Sequence, residues 1–162
     1  MYKLFLDTNI LIQYSLGNEP DCSAYKKFVQ YAAAGKVALY TSSHSLKDTY
    51  YNVNLALKRQ ERAEAGLLTE TAANAAKEAA WGATQLIGTQ LHIVSMGRSE
   101  HEHAFVFRPI HNDYEDNLQL AAAYAAKANL FVTNDLRLKG HSPVAALSSI
   151  EAAALLEAEF AL

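Results

Sequence analysis

The sequence predicts an α/β fold in which a mostly parallel sheet of 4–5 strands is covered by helices on both faces. Two observations carry this. Short apolar runs recur along the chain and alternate with helix-forming segments, the pattern of βα repeats. Each run is too brief to stand alone, so it must be buried between other elements.

The elements follow in order. Residues 3–7, KLFLD, read as a short buried strand that ends in an acid, and a turn region follows around Gly17–Pro20. Asp21 is placed to cap a helix over DCSAYKKFVQYAAAG, with Gly35 as its stop signal. Residues 37–41, VALYT, form a second strand, and Ser42 or Ser43 caps a long helix to about Lys58. A further helical segment covers 67–88, a third strand 91–95, and a short helix 99–107 that Pro109 ends. The segment NDYEDNLQLAAAYAAKAN opens with acids in its first turn, which suits the positive end of a helix dipole. LFVT at 130–133 makes a fourth strand, 144–147 a fifth, and 149–159 the last helix.

With 162 residues, 51% of them apolar, and only three prolines, the chain is expected to form one domain over 1–162. The apolar stretches are Ala-rich and interrupted, far short of the roughly 18–20 residues that cross a bilayer. The N-terminal apolar run breaks at Asp7, which argues against a secretion signal. A single cysteine, Cys22, forms no internal disulfide. These features predict a cytoplasmic protein with no membrane contact. The net charge of −3 is not that of a basic nucleic-acid binder. Four aspartates, Asp7, Asp48, Asp116 and Asp135, carry −4 of it, so the remainder of the chain sums to +1. An ion that neutralised those four would weaken the objection to a polyanionic substrate.

Those four acids share an expected position. In parallel α/β sheets, ligands bind beyond the carboxyl ends of the strands, where strand order reverses. Asp7 ends the first strand, and Asp135 lies just past the fourth. Asp48 falls in the second turn of the helix after the second strand, and Asp116 in the first turn of the helix before LFVT. An aspartate near a helix start is usually a cap, so each alone says little; their coincidence at one rim says more. Gathered carboxylates repel and raise one another's pKa, unless a cation sits among them. All-oxygen ligands suit a hard ion, Mg²⁺ or Mn²⁺. Such an ion acidifies water and stabilises charge on a phosphoryl oxygen, the requirements of phosphodiester hydrolysis.

The motifs LFLDTNILI (4–12), TSSHSLKDTYYNV (41–53) and EDNLQLAAAYAAKANLFVTND (115–135) together resemble the PIN-domain nucleases. The resemblance spans nearly the whole chain. It implies a three-layer α/β/α sandwich and a Mg²⁺- or Mn²⁺-dependent endoribonuclease, with Asp7, Asp48, Asp116 and Asp135 as its metal-binding acids. Thr8, Asn9, Thr133 and Asn134 would support the carboxylates or hold a phosphate oxygen. As ordinary chain, they are strand-end turn residues. Asp113 reads first as a helix cap and second as a metal neighbour, while Glu115 reads as a solvated acid. The middle acid of the family is usually Glu; Asp48 is one methylene shorter. Many relatives are VapC-type toxins, homodimeric and silenced by an antitoxin, which makes RNA, an antitoxin protein and a second copy the expected partners.

Other signals are weaker. His101 and His103, two residues apart, would face different sides of a helix and make a poor zinc pair. His44, one turn before Asp48, reads as a rim or surface residue. Lys47, Lys58, Arg59 and Arg62 fit a solvated helix face or RNA phosphates, and Tyr50 and Tyr51 fit helix packing or base stacking. Trp81 reads as core or interface, and the helical hairpin near 43–88 as the surface for a second copy or an antitoxin. No Gly-rich phosphate loop is present. The competing class is a PIN-fold RNA- or protein-binding module with weak or no catalysis.

Overall fold

The computed structural model describes residues 1–160. Five parallel strands form one sheet: β1 (Tyr2–Leu6), β2 (Val37–Ser42), β3 (His92–Val94), β4 (Leu130–Val132) and β5 (Ala146–Leu147), in the spatial order β3-β2-β1-β4-β5. The helices are α1 (Thr8–Ser15), α2 (Asp21–Ala33), α3 (Ser43–Ala65), α4 (Glu70–Gln90), α5 (Arg98–Phe107), α6 (Tyr114–Ala125), α7 (Leu136–His141) and α8 (Ser149–Glu159). Among the described residues, no helix is long and apolar enough to cross a membrane.

The sheet is buried on both faces because its central strands alternate apolar side chains of both kinds. Leu4, Leu6, Leu130 and Val132 point to one core, shared with Ile10 and Leu11 of α1, Tyr25 and Phe28 of α2, and Leu156 of α8. Phe5 and Phe131 point the other way and stack at 5.8 Å between ring centroids. Over them lies α6, whose Ala121, Ala122 and Ala123 are buried beside Leu120. Small side chains on that face let the helix backbone come close to the aromatic pair. The result is the three-layer arrangement expected.

Two helices depart from the sequence expectation by existing at all. TNILIQYS, for which the sequence predicts no element, is α1, started by the Asp7 side chain, which accepts from the Thr8 backbone N–H. LRLKGH, also unassigned, is α7, and Asp135 caps it by accepting from Arg137 and Leu138 N–H at 2.7 and 3.0 Å. Asp21 does not cap α2; Pro20 stands at the cap, and the Asp21 carboxylate is held by Asn134 and Ser149 instead.

The second helix boundary to move is the end of α3, which runs to Ala65 rather than Lys58. It stops at Gly66, whose backbone is left-handed at φ +76°, and whose N–H reaches the Arg62 carbonyl. No atom lies within 4 Å of where a Cβ would stand, so a side chain there costs only backbone strain. Gly66→Ala is expected to lower stability by about 1 kcal/mol, read as a shift in urea midpoint at unchanged slope.

Candidate functional site

Strand order reverses at β1, which has β2 on one side and β4 on the other. Leu6 is in register with Val132, so the residues that follow, Asp7 and Thr133, emerge side by side at the carboxyl edge. The Asp7 N–H donates to the Val132 carbonyl at 3.0 Å and fixes this junction.

Asp7 is 6% exposed. Its Oδ1 accepts from Thr8 N–H at 2.7 Å, and its Oδ2 accepts from Asn9 Nδ2 and from the Thr133 hydroxyl, each at 2.7 Å. Asn9 Nδ2 also reaches Thr133 Oγ1 at 3.0 Å, and the Asp135 N–H donates to that same oxygen at 3.1 Å. The DTN and TND motifs thus interlock. Despite these donors, burial raises the Asp7 carboxyl to about 6, with Asp116 and Asp135 pushing the same way. Three of the four named aspartates therefore feel one another across the rim.

Asp116 is half-buried in the first turn of α6, where burial holds it above the usual carboxylate range and a bond from His111 opposes the shift. Asp113 is the α6 cap, accepting from Glu115 and Asp116 N–H at 3.0 and 3.2 Å. Asp48 lies on α3 with its carboxylate 3.0 Å from Lys47 Nζ. Partial burial, then Asp48, Asp113 and Asp116, raise Glu115. Asp48 is thus close enough to Glu115 to act on it, and Glu115, exposed in the first turn of α6, is the solvated acid expected, standing beside the other rim acids. Asp7, Asp135 and Asp116 each sit at a helix N-terminus, whose positive dipole end offsets part of their repulsion.

The supporting residues sort differently from the sequence expectation. Asn9 and Thr133 hold the Asp7 carboxylate directly. The Thr8 hydroxyl turns away and donates to Ser45 Oγ at 3.0 Å, joining a buried group in which the Ser42 and Ser45 hydroxyls both donate to Gln119 Oε1. Asn134 anchors the turn, its amide donating to Asp21 and its carbonyl accepting from Ser149 N–H, while its own N–H donates to Asn9 Oδ1. Two residues that sequence reasoning did not single out are Gln119 and His111. Gln119 sits one turn past Asp116 on a helix whose apolar pattern dominates. His111 lies in a loop whose path no periodicity reports.

Elsewhere, His101 meets the Tyr114 hydroxyl and His103 the Ser99 carbonyl, so the two histidines serve separate contacts. Tyr50 packs against Trp81 at 5.0 Å in the α3–α4 hairpin, while Tyr51 and Trp81 are exposed, which removes Trp81 from the core. His44 is half-buried near the start of α3.

Among the described residues, no three histidine, cysteine, aspartate or glutamate side chains stand close enough to ligate one ion directly. Mg²⁺ does not need such a cage. It usually takes one or two carboxylates and keeps several waters. An all-carboxylate donor set with a raised, buried Asp7 at its centre fits a hydrated hard cation of this kind.

A parallel sheet with this order, and acids at the ends of β1 and β4 and at the start of α6, defines a class of α/β protein with an acidic rim at its switch point. The PIN domain family model matches residues 3–137, and the chain belongs to that family. No curated protein sequence matches it. Among solved structures it is similar to VapBC2 from Rickettsia felis bound to a promoter DNA fragment, with TM-score 0.64, 18% identity, and 90% and 98% of the two chains covered. It is similar to VapC20 of Mycobacterium tuberculosis, described as a toxin cleaving the sarcin-ricin loop, at TM-score 0.62 and 14% identity over 88% and 97%. DNA-bound VapBC from Salmonella typhimurium gives TM-score 0.62 and 16% identity over 92% and 99%. At these identities the likeness is one of fold.

Proposed function

We propose that this chain is a Mg²⁺- or Mn²⁺-dependent endoribonuclease, the toxin component of a type II toxin–antitoxin pair. The observation that carries the reading is Asp7: a buried carboxyl at the switch point, raised to about 6 and repelled by Asp116 and Asp135. Ionising Asp7 there works against stability, and carboxyls perturbed by burial and by neighbouring acids are concentrated at functional sites. When bound, the cation supplies charge stabilisation at the phosphoryl group and acidifies a water.

The protein's own groups have distinct tasks in this reading. Asp7, Asp116 and Asp135 hold the ion, directly or through water. Asn9 and Thr133 fix the orientation of Asp7, and Asn134 fixes the turn that carries Thr133 and Asp135. Asp113 orders the helix start that presents Asp116. Asp48, beside Glu115, helps to orient the attacking water or a second ion. Exposed Lys47, Arg59 and Arg62 along α3 supply contacts for RNA phosphates. The α3–α4 hairpin, with Tyr51 and Trp81 exposed, is the surface assigned to an antitoxin or second copy. That VapBC complexes are among the similar structures supports an antitoxin partner.

The second reading, an RNA- or protein-binding module with little catalysis, draws on the pairing of Asp48 with Lys47, which engages the carboxylate that the first reading assigns to the chemistry. One assay divides the two. Pure protein incubated with structured and single-stranded RNAs is expected to cleave them in Mn²⁺ and to stop on adding EDTA. Tight RNA binding without turnover in either condition would leave the module.

A further inference from the structure

We infer that His111 is a positioning residue for the ion site: it fixes one oxygen of Asp116 and so leaves the other to face the cation. This rests on the reading of Asp116 as a metal-binding acid. The inference stands on four contacts around one loop. His111 Nε2 lies 2.7 Å from Asp116 Oδ2, and the imidazole side chain is only 5% exposed. The His111 carbonyl accepts from Asn117 Nδ2 at 2.7 Å, and the His111 N–H donates to the Phe107 carbonyl at 3.0 Å. The ring is flanked by His141 at 5.8 Å between centroids.

An ionised carboxylate only accepts, so Nε2 carries the hydrogen and Asp116 receives it. Two consecutive residues at the start of α6 therefore grip the same loop residue, Asp116 at its ring and Asn117 at its backbone. A half-buried aspartate without this bond would be free to rotate about its side-chain torsions. With it, Oδ2 is committed and the plane of the carboxylate is set. Such outer partners orient metal-ligating carboxylates, and their loss typically costs 10–100-fold in metal affinity. A histidine whose only role was packing would not need its polar edge aimed at an acid from a loop otherwise exposed on both sides, at Ile110 and Asn112.

The geometry selects the variants. Glutamine can place an amide N–H near the position of Nε2, whereas asparagine reaches only the nearer position of Nδ1. Mn²⁺ binding to the full chain, followed by the electron paramagnetic resonance signal of free Mn²⁺, is the readout, with circular dichroism checking the fold. His111→Asn and His111→Ala are expected to weaken Mn²⁺ binding about tenfold or more, and His111→Gln to restore it to within about threefold. In RNA cleavage at saturating Mn²⁺ the same variants should change kcat more than KM. Asp116→Asn separates the two levels of the argument. If it loses Mn²⁺ binding while His111→Asn and His111→Gln both bind like wild type, His111 is a packing residue and only this inference fails. Equal loss in the Gln and Asn variants also overturns it, since the bond donor would then be irrelevant. If Asp116→Asn binds Mn²⁺ as wild type does, the reading of Asp116 fails as well. Should His111→Ala not fold, the Gln and Asn pair decides alone.

Discussion

Asp7→Asn is expected to reduce RNA cleavage by about a thousandfold or more. A bound divalent ion stabilises a phosphoryl transition state by several kcal/mol, and each 1.36 kcal/mol is a factor of about ten. Asp7 is the acid on which the site converges, buried at the switch point and coupled to both Asp116 and Asp135. Asparagine keeps the size and can still accept the Thr133 and Asn9 hydrogen bonds on one oxygen. It removes the charge that would hold the cation and places an amide where Oδ1 now accepts from Thr8 N–H. The measurement is single-turnover cleavage in Mn²⁺, with circular dichroism to show that α1 still forms. Cleavage within tenfold of wild type, in a folded variant, would remove Asp7 from the chemistry.

The same residue shows what sequence reasoning reaches and where it stops. The strands were legible because Leu4–Leu6, Val37–Leu39 and Leu130–Val132 are short apolar runs between turn signals, and burial on both faces demands such runs. Asp7, Asp116 and Asp135 were legible as neighbours because parallel topology sends every strand end and following helix start to one edge. Helix α1 was not, because TNILIQYS continues the apolar run and its cap, Asp7, reads equally well as the last residue of a strand. Helix α7 has only six residues, with Gly140 inside it, too few for a period to show. The approach of Asp48 to Glu115 depends on the rotation of α3 about its axis, a packing outcome that local sequence does not encode. His111 is the clearest case: its contact with Asp116 arises from the path of a loop between two helices.

The stability of the metal-free protein is expected to fall as pH rises from about 4 to about 6, through Asp7. The carboxyl moves from an ordinary 3.8 in the unfolded chain to about 6 in the folded one. Between those values the folded state holds a proton that the unfolded state has released, so raising pH favours unfolding. The full effect, reached above pH 6, is about 2–3 kcal/mol at 1.36 kcal/mol per pKa unit. Raised Asp116 and Glu115 act in the same direction. Other groups also titrate here, so the quantity to follow is the difference between wild type and Asp7→Asn in EDTA, which lacks this slope. Mn²⁺ should reverse the trend. It competes with the proton for the same oxygens, so it binds better as pH rises. At about 100 times its Kd it adds roughly 2.7 kcal/mol, or about 5–10 °C in Tm for a chain of this size. The Mn²⁺-induced rise in Tm is therefore expected to be large at pH 7.5 and small at pH 4.5 in wild type, and absent at both in Asp7→Asn. An equal rise at the two pH values would place the ion away from Asp7, and the repulsion among the rim acids would then need another explanation.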